Sequence, residues 1–88
     1  MRFPLGRIVA TPGAVRLLEE TGILPTALLA RHVTGDWGNV PPEDAKENEF
    51  SVNSGFRILS SYSVGEETLW VITEADRSVT TLLRPDEY

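Results

Sequence analysis

The chain has 88 residues, 41% hydrophobic and 24% charged, a composition that suits one folded domain over residues 1–88 and excludes a disordered segment. Thirteen acidic against eight basic residues leave a net charge of −5, the wrong sign for a phosphate-neutralising surface, which argues against nucleic acid as a partner. No cysteine is present, so disulfides and thiolate metal sites are ruled out and a reducing cytoplasm is the expected location; no apolar run approaches the roughly 18 residues of a membrane span.

Residues 5–10 are short and β-branched enough for a first strand that stops at Thr11-Pro12. Thr11 suits the N-cap of a helix and Pro12 its first position, where a missing N–H costs nothing. Ala14, Val15, Leu17 and Leu18 give that helix an apolar face. Gly22 supplies a left-handed C′ residue, with Leu18 and Ile23 at the positions expected to touch across a Schellman ending.

Pro25 opens a second helix, in which Leu28, Leu29, His32 and Val33 recur at three- and four-residue spacing as one apolar stripe ended by Gly35. Pro41-Pro42-Glu43-Asp44 reads as a third, weaker helix start, with acids where the macrodipole favours them and with Ala45, Phe50 and Val52 to bury.

After Asn53-Ser54-Gly55 the period changes to alternation. Phe56, Ile58, Ser60, Tyr62 and Val64 share one face of a strand. Leu69, Val71 and Thr73 alternate with Trp70 and Ile72 in a second, and Val79, Thr81 and Leu83 with Thr80 and Leu82 in a third. Turns at residues 64–67 and 75–78 make residues 56–84 an antiparallel meander closed by Pro85. The order β-α-α-(α)-β-β-β predicts an α+β domain: two or three N-terminal helices packed on an antiparallel sheet of three to four strands. The strand 68–74 is apolar on both faces, so helices should cover one face and a loop or partner the other.

The densest cluster of special residues is His32-Val-Thr-Gly-Asp-Trp-Gly38, which holds the sole histidine and one of two tryptophans. Two readings compete. In the functional one, His32, Asp36 and Asp44, with Asn48 nearby, converge as a metal or general acid/base site. In the structural one, His32 meets the last helical carbonyls, the glycines make turns and Trp37 anchors the core. The structural reading is favoured, because zinc needs three or four strong ligands and none of the recognised spacings occurs. No metal and no cofactor is therefore expected.

Glu43, Asp44, Glu47 and Glu49 make residues 43–49 the most acidic window. Such a cluster is ordinarily a solvated helix face; as a functional surface it would dock a basic partner. Arg57, Arg77, Arg84, Tyr62 and Tyr88 could line one side of the meander, although scattered surface arginines and half-buried tyrosines explain them as well. Glu74, Asp76 and Arg77 read as a turn with a surface ion pair. Ser60, Ser61 and Ser78 lack a Gly-x-Ser-x-Gly elbow, and the histidine lies in a different element. No catalytic signature emerges.

The blocks Leu5-Gly-Arg-Ile-Val-Ala-Thr-Pro12, Leu28-Leu-Ala-Arg-His-Val-Thr-Gly-Asp-Trp-Gly38, Arg57-Ile-Leu-Ser-Ser-Tyr62 and Leu69 to Thr81, ending Pro85-Asp-Glu-Tyr88, resemble a family of small plasmid-related proteins from bacterial plasmids and integrative elements. Some of its members are labelled as the modification subunit of a type I restriction enzyme. That label does not suit these residues, because Asn39-Val-Pro-Pro-Glu43 has an inserted valine and no aromatic after the prolines. The resemblance implies a mobile-element setting and brings no catalytic residues. The element order is also similar to that of ribosome-dependent and gyrase-directed toxins, whose sheets are basic where this chain is acidic.

The expected function is thus a non-enzymatic accessory protein of a mobile element that binds another protein, or a second copy of itself, through Trp37, Glu43, Asp44, Glu47, Glu49 and the exposed side of the meander. The alternative is a small toxin-like or metal-dependent nuclease-type enzyme using His32, Asp36 and Asp44, or the arginine and tyrosine set on the sheet.

Overall fold

A computed structural model describes residues 1–88, all of the chain. Its elements are β1 (Arg7–Ala10), α1 (Pro12–Thr21), α2 (Pro25–Val33), α3 (Pro42–Ser54), β2 (Ile58–Val64), β3 (Glu67–Thr73) and β4 (Val79–Leu83), followed by a single 3₁₀ turn, Pro85–Glu87. The fold is α+β, with three helices on a four-stranded sheet of order β1-β4-β3-β2. β2, β3 and β4 form the antiparallel meander; β1 joins its far edge parallel to β4, in register Arg7 to Val79 through Ala10 to Leu82. The sheet is therefore mixed where a wholly antiparallel one was expected.

The local signals for α1 act as expected. The Thr11 hydroxyl accepts the Ala14 N–H, Pro12 occupies the first turn, and Gly22 at φ 73° returns its N–H to the Leu18 carbonyl. Ile23 packs against the core behind that ending. The helices bury Ala14, Leu17, Leu18, Leu28 and Leu29 against Tyr62, Val64, Leu69, Val71 and Leu82, the inner face of the sheet. A smaller cluster of Phe3, Trp37 and Ile58 closes the end near α3 and takes in part of Leu5, Val40, Ala45 and Val52.

α3 departs from expectation. It runs 13 residues and turns Asn48 and Ser51 inward, while Phe50 stands 59% exposed. Both buried polar groups are satisfied. The Ser51 hydroxyl donates to the Glu47 carbonyl, and the Asn48 side-chain amide donates to the Leu59 carbonyl at 2.7 Å while its oxygen accepts the Leu59 N–H at 3.2 Å. Phe56, expected on β2, precedes that strand and is likewise exposed.

The two sheet edges are treated differently. Along β2, Asn48 takes both outward groups of Leu59; the Ser61 N–H donates to Trp37, and its carbonyl accepts from the Asn39 N–H at 2.7 Å. Gly38 approaches Ser61 so closely that a Cβ there would collide with the Ser61 carbonyl. β1 has no such cover.

Candidate functional site

α2 carries His32 into the interior on the same stripe as Leu28 and Leu29, and the ring is fully buried. Its Nδ1 lies 2.6 Å from the Ser60 hydroxyl and its Nε2 lies 2.9 Å from the Thr73 hydroxyl. Thr73 is 2.7 Å from the Thr80 hydroxyl, which donates to the Leu5 carbonyl at 2.7 Å. This chain of contacts fixes the protons from Nε2 to Leu5. A carbonyl only accepts, so Thr80 donates to Leu5; Thr73 must then donate to Thr80 and His32 Nε2–H to Thr73, and with the buried ring neutral Ser60 donates to Nδ1. His32 is the neutral Nε2–H tautomer, and burial pushes its pKa down to about 4.

The histidine therefore meets two hydroxyls across the sheet rather than the last helical carbonyls. It also pairs with Ser60, which was expected to have no histidine beside it. A serine whose hydroxyl donates to an imidazole has the bonding of an activated nucleophile. Here serine and histidine are both sealed from solvent, and the imidazole is a weak base. No substrate atom can reach the pair, so its role is to join α2, β2, β3 and β4 through satisfied polar contacts.

Asp36 does not join His32. Its carboxylate is held by Arg31, with Nε to Oδ2 at 2.7 Å, and accepts the Gly38 N–H at 3.2 Å. The Arg31 guanidinium keeps the Asp36 pKa below the usual carboxylate range. Arg31 also lies over the Tyr62 ring, 4.5 Å from its centroid, and the buried Tyr62 hydroxyl donates to the Asp36 carbonyl at 2.6 Å. Burial raises the Tyr62 pKa to about 12. Asp44 stands exposed in the first turn of α3. No three His, Asp or Glu side chains are placed to hold a metal ion, so the proposed set of His32, Asp36 and Asp44 does not assemble.

Trp37 is 6% exposed and is an anchor of the core, not a contact residue. It stacks on Phe3, meets His32 edge-on, and donates its indole N–H to Glu49 at 3.0 Å. Arg2 grips the same carboxylate through two bonds of 2.7 and 3.0 Å, and these donors lower the Glu49 pKa. Glu49, half exposed, is thereby committed to Arg2 and Trp37, which leaves Glu43, Asp44 and Glu47 as the free acids of the window.

The arginines and tyrosines of the meander do not share a surface. Tyr62 is buried, and Arg84 pairs with Glu67 and Asp86. Arg77, at φ 61°, sends one guanidinium nitrogen to the carbonyls of Phe56, Glu74 and Ala75 and the other to Ser51 at 2.6 Å. It staples the second hairpin to the end of α3. Arg57 alone lies over an exposed aromatic, Tyr88, which meets Trp70 edge-on.

No family model, curated protein or solved structure matches the chain.

A feature missed in the sequence is the surface made by α3 and the segment after it. Phe50 and Phe56 stack with ring centroids 5.9 Å apart and planes at 17°, although the two residues are 59% and 57% exposed. Glu43, Glu47 and Phe50 fall at i, i+4 and i+7, one stripe of a helix. Acids and an aromatic pair thus share one exposed face. The spacing carries this signal, whereas hydrophobicity alone places Phe50 in the core. No helix is long and apolar enough to cross a membrane.

Proposed function

We propose that the chain is a non-enzymatic protein-binding module, an accessory protein of the mobile-element kind that its sequence blocks resemble. The single observation that supports this reading is the exposed Phe50–Phe56 stack continuing the Glu43–Glu47 stripe of α3. The stack hides only part of each ring and leaves an apolar patch in water, and at an interface a large rigid ring supplies much of the binding free energy. The acids beside them select the partner: an apolar groove rimmed by lysine or arginine, approached under electrostatic steering. The binding face is therefore Glu43, Asp44, Glu47, Phe50 and Phe56, with the bond from buried Trp37 to Glu49 holding α3 in place.

Pulldown from a host carrying the element is the test, with wild type compared against Phe50→Ser/Phe56→Ser and Glu43→Lys/Glu47→Lys. A specific partner retained by wild type and lost with both variants, each still folded by circular dichroism, is the expected result. A partner captured equally by all three would overturn the assignment of this face, and no specific partner would overturn the function.

The metal-dependent or toxin-like alternative has no assembled residues to support it. His32 is sealed, Asp36 is committed to Arg31, and Asp44 stands apart.

A further inference from the structure

The open edge of the sheet carries a different proposal. In β1 the Arg7 N–H donates to the Ser78 carbonyl and the Thr11 N–H to the Leu82 carbonyl, so alternate residues of the strand face β4. The N–H and C=O groups of the residues between, Ile8 and Ala10, point away from the sheet. None takes a hydrogen bond from a side chain or loop of the protein, in contrast to the β2 edge, where Asn48, Trp37 and Asn39 take the outward groups of Leu59 and Ser61. β1 also lacks the usual protections of an edge: it contains no proline, lysine or bulge, and Arg7 is its only charge.

The spacing of the outward groups suits one occupant in particular. We infer that β1 pairs antiparallel with β1 of a second copy about a two-fold axis at Val9, joining two four-stranded sheets into one of eight. Ile8 then lies opposite Ala10 of the partner subunit and Ala10 opposite Ile8 of the partner subunit, each pair exchanging both backbone hydrogen bonds.

Two further observations fit this register and no other. Ile8 is 49% exposed, and beside Ala10 lies an apolar hollow of about 300 Å³ lined by Val15, Leu18, Ile23 and Leu24. Placing Ile8 of one copy opposite Ala10 of the other sets its side chain at that hollow. On the opposite face of the strand the same register sets Arg7 across from Thr11, whose hydroxyl is bonded to the Glu87 carboxylate at 2.5 Å. Arg7 forms no ion pair within its own chain. The dimer would give it one with Glu87, twice by symmetry. A one-residue slip would put Ile8 on the wrong face and separate both pairs.

An interface built on a four-residue strand is at the small end of stable contacts, below about 1,200 Å² in total, so the dimer is reversible. It leaves α3 free, since α3 packs on the β2 side of the sheet.

Sedimentation velocity over a concentration series should show a monomer–dimer equilibrium, and Ile8→Glu should hold the chain as a monomer throughout while leaving the dilute protein folded. An independent arm uses the absence of native cysteine. Val9→Cys places two thiols across the axis in a non-hydrogen-bonded pair, a geometry close enough for a disulfide, whereas Ser63→Cys on the β2 edge does not. Mild oxidation should give covalent dimer with Val9→Cys and little with Ser63→Cys. A wild-type chain that stays monomeric, or equal crosslinking of both cysteine variants, overturns the proposal without touching the α3 reading.

Discussion

Acidification should unfold this protein through His32. The buried imidazole has a pKa of about 4 against 6.5 for the free side chain, a difference of 2.5 units. At about 1.36 kcal/mol per unit this is roughly 3 kcal/mol of differential proton affinity. The folded pKa is the depressed one, so as pH falls below 6.5 the unfolded chain takes up the proton first and is favoured. The stability His32 contributes is complete above 6.5, falls by about 1.4 kcal/mol per pH unit, and is gone near pH 4. A domain of this size holds on the order of 5–10 kcal/mol in all, so the loss is a large share.

Urea denaturation at a series of pH values, wild type beside His32→Gln, measures the effect. Gln cannot titrate but offers Thr73 a similar N–H, so the variant should be less stable at neutral pH and show a shallower fall between 6.5 and 4. Asp36 and Glu49, depressed by Arg31 and Arg2, lose their stabilising charge only at and below the ordinary carboxylate range. Their contribution is common to both proteins and cancels in the difference. Parallel slopes for the two, or a His32 ring resonance in the folded protein that titrates near its ordinary value, would refute the reasoning.

Other substitutions probe the remaining supports. Gly38→Ala should cost about 3 kcal/mol or more, because the left-handed φ is compounded by collision with the Ser61 carbonyl; Gly22→Ala, equally left-handed but facing open space, should cost only about 1 kcal/mol, and thermal melts would separate them. Asn48→Ala orphans both outward groups of Leu59 and should lower the urea midpoint by the equivalent of about 2–3 kcal/mol, with increased aggregation at the uncovered β2 edge. Arg77→Lys keeps the charge yet cannot span the carbonyls of Phe56 and Ser51 together, so a loss of about 1–2 kcal/mol is expected in the same assay.

The sequence is most legible where structure is local. Thr11, Pro12 and Gly22 announce the ends of α1 by chemistry within a few residues, and the alternation of residues 58–64 sorts Ile58, Ser60, Tyr62 and Val64 to one face without reference to any partner. What escapes is decided at a distance. The bonds of His32 go to Ser60 and Thr73, 28 and 41 residues away, and nothing near His32 encodes them. Phe50 is exposed because the inward positions of α3 are needed by Asn48, whose amide must reach Leu59. Hydrophobicity alone therefore misassigns that helix. The acidic window was visible at once, but its meaning depends on which of its carboxylates the fold consumes, and only the placement of Arg2 and Trp37 removes Glu49 from it.

The parallel partnership of β1 with β4 also constrains the order in which the molecule can be made. β1 meets its only sheet partner some seventy residues later in the chain, at Val79 to Leu82. The β2–β3 hairpin, closed by a two-residue turn, can zip early and locally. On the ribosome, then, β1 is synthesised well before β4 but cannot be seated until β4 emerges, and until then the helices have an incomplete sheet to cover. Nascent chains stalled before Val79 should keep α1 accessible to protease, and those released after Leu83 should not.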